Sequence, residues 1–319
     1  MVSSADTPRF QLFSNGATAT EPTTQPLPRE AIDAYNLYIH GEIDRRSFFD
    51  RVKKVAVSSV AAVAIVDQLM PNYAAAQQVS PTDPRIRTER ATVPSPDGNG
   101  SIEGLLVRPV AAGTERLSSI LVIHENRGLN PHIEDVARRL ALKNFMTFAP
   151  DGLTSVGGYP GDDEKGGAAF REVDRAKMGE DLYAAAVWLK NRLDSSGRLG
   201  VTGFCFGGGI SNALAVRMGE DLHAAVPYYG GAPPAADVPN IKAAVLVHHG
   251  GEDARLVMAW PEYEAALKSA GVTYEGHIYP GAGHGFNNDS SPARYNKAAA
   301  DTAWTSTVAW FNRYVREAG

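Results

Sequence analysis

The stretch LGVTGFCFGGG, residues 199–209, decides how the rest of the chain is interpreted. An apolar run ends in the motif G-x-C-x-G, and residues that favour a helix follow from Ile210. This succession of strand, sharp turn and helix is typical of a nucleophile elbow, with cysteine in the position where serine is more common. Gly203 and Gly207 would let the strand and the helix approach each other, and the helix N-terminus would direct its N–H groups at the sulfur. Cys205 is the only cysteine of the chain, and taken alone it fits a buried, unreactive thiol equally well.

Length, composition and charge restrict the class of protein. A chain of 319 residues with 44% hydrophobic residues can bury a large core, in one α/β domain or in two smaller ones. Its net charge of −5, without a tract rich in lysine or arginine, argues against a nucleic-acid partner. A single cysteine excludes an internal disulfide and a zinc site built from cysteines.

Residues 1–80 differ in composition from the rest of the chain. Residues 1–28, rich in small and polar residues, are interpreted as a flexible leader, and an amphipathic, helical segment begins at Arg29. Arg45-Arg46, a weakly apolar run at 55–69 and the small residues up to 76 resemble a twin-arginine export signal. Export with cleavage near residue 76 would place the protein in the periplasm, whereas retention of the segment would leave it in the cytoplasm.

A second interpretation of this segment is a pair of helices that packs on the following domain or on a second subunit, as in a homodimer. Three features argue against export: the arginines lie unusually far from Met1, Asp67 interrupts the apolar run, and Asp50 stands where such signals prefer a basic or neutral residue. No clean stretch of about 18 apolar residues is present, so we expect no membrane-spanning helix.

From residue 81 to residue 319 the pattern alternates between strands and helices, which predicts one domain with a mostly parallel sheet flanked by helices. Residues 88–93 and 102–107 predict an antiparallel pair, and 153–167 is interpreted as a long loop. In parallel sheets the reactive groups gather beyond the carboxyl ends of the strands. The loops that follow the strands are therefore where we look for chemistry.

Three of these loops carry the parts of a nucleophilic site. Cys205 ends one predicted strand, Asp253 follows another, and His284 lies in the Gly-rich loop after the last. His284 can take the thiol proton and later give it to a leaving group, and Asp253 can hold the imidazole in the required tautomer. Glu252 is the rival acid, while His284 as a surface histidine and Asp253 as a helix cap are the unreactive alternatives. The order nucleophile, acid, histidine is that of α/β-hydrolases.

A fourth strand end carries HENRG, residues 124–128. In α/β-hydrolases this loop supplies half of the oxyanion hole, so the expected donors are the backbone N–H groups of Asn126 and of Phe206. Glu125 would then be a carboxylate near the thiol. Its alternative role is an ion pair with Arg127 or Arg138.

From about residue 88 to the C-terminus the chain resembles the dienelactone hydrolase family, the carboxymethylenebutenolidases. The resemblance rests on GFCFGGG at 203–209, HENRG at 124–128, APDGL at 149–153, the Asp253 loop and GHGF at 283–286. It implies an α/β-hydrolase fold, to which residues 1–80 would be an N-terminal helical addition. It also implies a Cys-His-Asp triad that opens an enol-lactone through an acyl-thioester, with no metal and no organic cofactor. Glu125 would restrain the thiol until the substrate displaces the carboxylate, which then takes the cysteine proton.

The chain departs from the family pattern at one position. The family binds the substrate carboxylate with arginines, one of them four residues after the triad histidine, where this chain has Asn288. Asn288 and Arg127 are thus the candidate substrate-binding residues, and Arg171 or Arg255 could also replace the missing arginine. We therefore expect a hydrolase of a lactone or small carboxylic ester. The alternatives are a thioesterase or general carboxylesterase with the same triad, or a non-catalytic scaffold whose N-terminal segment binds a partner.

Overall fold

The computed structural model describes residues 27–39 and 41–316, and these residues form an eight-stranded sheet preceded by a helical segment. The strand order is β1-β2-β4-β3-β5-β6-β7-β8, and β2 alone runs against the other strands. The strands are β1 (Ile86–Ser95), β2 (Gly100–Pro109), β3 (Leu117–Ile123), β4 (Met146–Pro150), β5 (Ser195–Phe204), β6 (Ala224–Tyr228), β7 (Ala244–Gly250) and β8 (Tyr274–Tyr279). The prediction of a mostly parallel sheet is confirmed, and so is the antiparallel pair at its start.

Helices cover both faces of this sheet. Helices α6 (Asp163–Glu172), α7 (Arg175–Lys190), α8 (Phe206–Met218) and α9 (Ala254–Ser269) pack on one face. Helices α5 (Pro131–Ala141) and α10 (Lys297–Tyr314) pack on the other. All seven residues of β3 are buried, as a strand covered on both sides requires. The carboxyl ends of the parallel strands meet at one edge, where the candidate residues lie.

Helix α6 corrects the end of the loop predicted over 153–167, because the helix begins at Asp163. Asp162 caps its N-terminus by accepting a hydrogen bond from the backbone N–H of Lys165 at 2.8 Å. The glycines at 166 and 167 argue against a helix by propensity. They are required by a close contact, because a Cβ on Gly166 would lie 2.5 Å from the carbonyl oxygen of Arg127. The prediction was wrong here because tertiary packing overrides local preference.

Four helices precede the sheet: α1 (Arg29–Ile39), α2 (Arg45–Val55), α3 (Ser59–Leu69) and α4 (Tyr73–Ala76). The first three share a small core that contains Tyr35, Phe48, Val52 and Leu69. The predicted leader at 1–28 lies, up to residue 26, outside the described residues. Within the described part of the chain, no helix has the length and apolar character needed to cross a bilayer.

Candidate active site

Cys205 lies at the sharp turn between β5 and α8. Its backbone has φ 55° and ψ −110°, a strained conformation for a residue with a side chain. The turn is closed so tightly that a Cβ on Gly203 would lie 2.1 Å from the carbonyl oxygen of Gly207. The two glycines therefore have the role in the turn that the sequence pattern indicated, and the half-buried thiol stands at the N-terminus of α8.

Two further predicted residues meet beside this thiol. Asp253 immediately precedes α9, and His284 lies in the loop after β8. The Nδ1 atom of His284 is 2.5 Å from Oδ2 of Asp253, and each side chain is only 9% exposed. Burial alone would raise the pKa of Asp253, but the hydrogen bond and the charge of His284, together with Arg255, hold it below its ordinary value. Asp253 is thus ionised and orients the imidazole, while Glu252 points away to Arg29.

The pKa of His284 is raised to about 9. Burial lowers this pKa, but Cys205 and Asp253, both hydrogen-bonded to His284, more than offset the effect of burial. The proton therefore rests on the imidazole near neutral pH, where the neighbouring Cys205 and Asp253 stabilise it.

The HENRG loop is held rigidly next to the elbow. The Nε2 atom of His124 accepts a hydrogen bond from the N–H of Gly152 at 2.9 Å, and its Nδ1 atom is 2.5 Å from the carbonyl oxygen of Glu125. Phe206 is the first residue of α8, where backbone N–H groups have no partner within the helix. Asn126 and Phe206 line the same cleft as Cys205.

Glu125 is buried at this site and is paired with neither of the two arginines considered from sequence. Arg127 donates to the carbonyls of Asn126 and Ile39, and Arg138 interacts with the carboxylates of α5. One oxygen of Glu125 accepts a hydrogen bond from Nδ2 of Asn288 at 3.2 Å. The amide of Asn288 is therefore engaged by the protein itself, and its oxygen accepts hydrogen bonds from Ser290.

Arg294 is a residue of the site that sequence reasoning missed. Burial alone would raise the pKa of Glu125, but the charges of Arg294 and of two histidines, with the Asn288 hydrogen bond, lower it below its ordinary value. Arg294 fits because residue 285 is a glycine with φ 78°, where a Cβ would lie 2.6 Å from the arginine Nη1. This glycine is the only signal in the sequence that could have indicated an arginine here.

Tyr229 is the second residue that was missed. It follows β6, has φ 37°, and its ring centroid lies 4.9 Å from that of His284. The ring thus forms an apolar wall against the imidazole and contributes to the burial of that group.

Cys205 lines two cavities. One is a cleft of about 460 Å³ that is open to solvent. Four arginines line this cleft, at positions 127, 171, 175 and 255, and none of the described lining residues is acidic. The other is a small space of about 20 Å³, lined by Cys205, His284, Glu125 and residues of the N-terminal helices. In the described part of the chain, no three His, Cys, Asp or Glu side chains are grouped as metal ligands would be.

Comparisons with known proteins agree with this fold. The model of the dienelactone hydrolase family matches residues 102–315. A protein of Escherichia coli K12 with the provisional name hydrolase fragment YghX is 53% identical over 115 residues, which are 36% of this chain and 97% of that protein. A Salmonella typhimurium protein provisionally named carboxymethylenebutenolidase is 32% identical over 213 residues, which are 62% of this chain and 78% of that protein. A crystal structure from Klebsiella pneumoniae, provisionally described as a dienelactone hydrolase, has a TM-score of 0.62 and 29% identity, covering 72% of this chain and all of that one.

The chain therefore belongs to the dienelactone hydrolase family, and it is a hydrolase that acts on ester bonds. The family match begins at residue 102, so the four N-terminal helices lie outside it.

Proposed function

We propose that the protein hydrolyses a lactone or small carboxylic ester, with Cys205 as nucleophile and an acyl-thioester as intermediate. One observation carries the proposal: His284 is hydrogen-bonded both to Asp253, at 2.5 Å, and to the cysteine of the elbow. This is the arrangement in which an imidazole exchanges a proton with a nucleophile and a carboxylate fixes its orientation.

The reaction proceeds in two steps. The sulfur of Cys205 attacks the carbonyl carbon, the carbon–oxygen bond to the leaving group breaks, and His284 gives its proton to the departing oxygen. In a lactone this alcohol remains attached to the acyl group. Water then attacks the thioester, His284 takes its proton, and the carboxylate product leaves as the Cys205 sulfur is released. The N–H groups of Asn126 and Phe206 stabilise the oxyanion formed in each step.

Glu125 restrains the thiol in this proposal, as the family resemblance implies. Its lowered pKa supports an ionised carboxylate at neutral pH, which is the form able to accept a proton from Cys205. Displacement by the substrate requires that the carboxylate release Asn288, to which it is hydrogen-bonded at 3.2 Å.

An anionic substituent on the substrate is supported by the cleft of about 460 Å³. Arg127, Arg171, Arg175 and Arg255 line the cleft, and among the described residues none of the four is in an ion pair. Arg175 and Arg255 also stand in the first turns of α7 and α9, where a positive charge opposes the helix dipole. Such an arrangement is unfavourable without a ligand, and an anion in the cleft would relieve it.

A thioesterase or a general carboxylesterase with the same residues is the second candidate. The observation in its favour is Asn288, whose side chain is occupied by Glu125 and by Ser290 and is therefore not placed to bind a substrate carboxylate. The chemistry at Cys205 would be unchanged, and the leaving group would be a thiolate or a simple alcohol.

Side-by-side kinetics test the proposal. A dienelactone, p-nitrophenyl acetate and an acetyl thioester are offered to the wild type and to Cys205→Ala, with the exposed Asp301→Asn on α10 as a folded control. We expect loss of turnover in Cys205→Ala alone. Lactone opening well above the simple ester supports the lactonase, and thioester cleavage above both supports the second candidate. Equal activity of Cys205→Ala and wild type in a clean preparation refutes the proposal.

A further inference from the structure

Helix α3 and the turn before it expose a group of apolar side chains to solvent. Val57, in the turn, is 98% exposed, and Val60 and Val63 of the helix are 81% and 48% exposed. Ala64 is exposed as well. The residues at 60, 63 and 64 are spaced as neighbours on one side of a helix. These four residues are called the α3 apolar face below.

The core of the N-terminal helices is built without this face. From α3 it takes Ala62 and Leu69, with Ile65 and Val66 partly buried against it. Helix α3 therefore has apolar residues on its inward and on its outward side. A helix that packs on one side only carries polar residues on the other. A group of exposed apolar residues of this kind indicates an interaction surface.

Helix α2, which leads into this face, is strongly basic. Its eleven residues include five arginines or lysines and one acid, whereas the whole chain has a net charge of −5. Residues 47–50 separate the first two of these cations from the other three in the sequence, and the helix gathers all five, each of them exposed. Arg45 is bound by Glu164, and Lys53 lies 3.9 Å from Asp50. Within the described part of the chain, three cations of the helix are in no ion pair: Arg46, Arg51 and Lys54.

The cations lie next to the α3 apolar face. Lys53 and Lys54 belong to the last turn of α2, four and three residues before Val57. A border of lysines beside apolar side chains matches the surface of a membrane, where anionic headgroups lie above acyl chains. A second copy of the chain matches this surface poorly, because a twofold contact through it would bring two basic helices together.

We propose that the α3 apolar face and the cations of α2 dock the protein on an anionic lipid surface. The valines enter the boundary between headgroups and acyl chains, while the lysines and arginines contact the lipid phosphates. Both helices precede residue 102, where the family match begins, so this surface is an addition to the hydrolase domain. The proposal goes beyond the ester chemistry at Cys205 and does not rest on it.

Cosedimentation of the full chain with sucrose-loaded vesicles tests the proposal without any ester substrate. The vesicles consist of phosphatidylcholine alone, or of phosphatidylcholine with about 30% phosphatidylglycerol. We expect binding to the anionic vesicles to be at least about tenfold stronger than to the neutral ones, and to weaken as the salt concentration rises from about 0.1 M to about 0.5 M. Equal affinity for the two kinds of vesicle, or an affinity that salt does not change, overturns the proposal.

Single substitutions assign the binding to this surface. Lys54→Gln should weaken binding to the anionic vesicles about fivefold, and Val57→Ser should weaken it about tenfold. The matched controls are Lys268→Gln, in the last turn of α9, and Leu193→Ser, whose side chain is 97% exposed just before β5. Both controls should bind within about twofold of the wild type. All four side chains are exposed, so each variant should fold, and equal losses in variants and controls overturn the proposal.

Two further measurements separate docking of the folded surface from its rivals. Docking covers α2, so trypsin should cleave within α2 more slowly on anionic vesicles than in solution. Faster cleavage there would mean that the helices unfold on the lipid, and it would overturn the proposal. Sedimentation velocity without lipid tests the second copy as occupant. A dimer that Val57→Ser dissociates, in a protein that binds no vesicles, would also overturn the proposal.

Discussion

Replacement of Asp253 by asparagine is the sharpest test of the site. The substitution keeps the shape of the side chain and removes the charge that lies 2.5 Å from Nδ1 of His284. An imidazole that loses its carboxylate is no longer held in one tautomer, and losses of about 10³-fold to 10⁴-fold in turnover are typical. We expect kcat/KM for p-nitrophenyl acetate to fall by about 10³-fold or more.

The same substitution changes how stability depends on pH. The pKa of His284 is about 9 in the folded protein and 6.5 as its ordinary value, a difference worth roughly 3 kcal/mol. Since the folded pKa is the higher one, this stabilisation is fully present below pH 6.5 and is lost as the pH rises through 9. Asp253 is one of the two groups that raise the pKa of His284, so Asp253→Asn should lose less stability than the wild type as the pH rises.

Urea unfolding near pH 6 and near pH 9.5 measures this difference, alongside ester kinetics on the same samples. Glu252→Gln is the matched control, because Glu252 is adjacent in sequence and forms an exposed ion pair with Arg29. Glu252→Gln should keep nearly all activity and should lower the free energy of unfolding by less than about 1 kcal/mol. An equal loss of activity in Glu252→Gln and Asp253→Asn would refute the role of Asp253. So would an Asp253→Asn protein whose free energy of unfolding falls with pH as much as that of the wild type.

Three further substitutions test other parts of the structure. The pKa of Asp289 is lowered to about 2, because the effect of nearby cations and hydrogen bonds exceeds that of burial. Asp289→Asn should therefore lower the free energy of unfolding by about 2 kcal/mol at neutral pH, as measured in urea. This stabilisation is present above pH 3.8 and is lost as the pH falls through 2. The exposed Asp301→Asn should lower the free energy of unfolding by less than about 0.5 kcal/mol. Gly203→Ala should yield little folded protein, because its Cβ would lie 2.1 Å from the carbonyl oxygen of Gly207. Arg255→Gln should raise KM for an ester with an anionic leaving group about tenfold, and KM for p-nitrophenyl acetate should stay within about twofold of the wild-type value. An equal change in KM for both esters would contradict an anion-binding cleft.

The sheet could be predicted from the sequence because its signals are local. Runs of buried apolar residues mark the parallel strands, and the glycines at 203 and 207 mark a turn that only small residues permit. The proximity of Cys205, Asp253 and His284 also follows from local patterns, since all three follow parallel strands of one sheet. What each residue does during catalysis stays a prediction until the variants are measured.

Arg294 could not be predicted in the same way. It lies ten residues beyond His284 in a loop without periodicity, and its position depends on the space that Gly285 leaves for it. The N-terminal helices have an amphipathic pattern that predicts helices but does not indicate which surface they cover. Their place over Cys205 is fixed by hydrogen bonds such as that from Asn126 to the carbonyl of Ile39, between residues 87 positions apart.

The departure from the family pattern at Asn288 and the additional N-terminal helices are parts of one structural change. The loop after His284 is where the family pattern has a substrate-binding arginine, and here consecutive residues of that loop bind other parts of this chain. Asn288 holds Glu125, Asp289 accepts from Gln78 at 2.7 Å, and the carbonyl of Ser290 accepts from the N–H of Asn72 at 2.6 Å. A loop that fastens the N-terminal segment cannot also present its side chains to a substrate. The arginine-lined cleft is a surface at Cys205 that this loop does not line. On this argument, restoring an arginine with Asn288→Arg should not improve activity on anionic esters, and it should weaken the attachment of the helices that the loop holds.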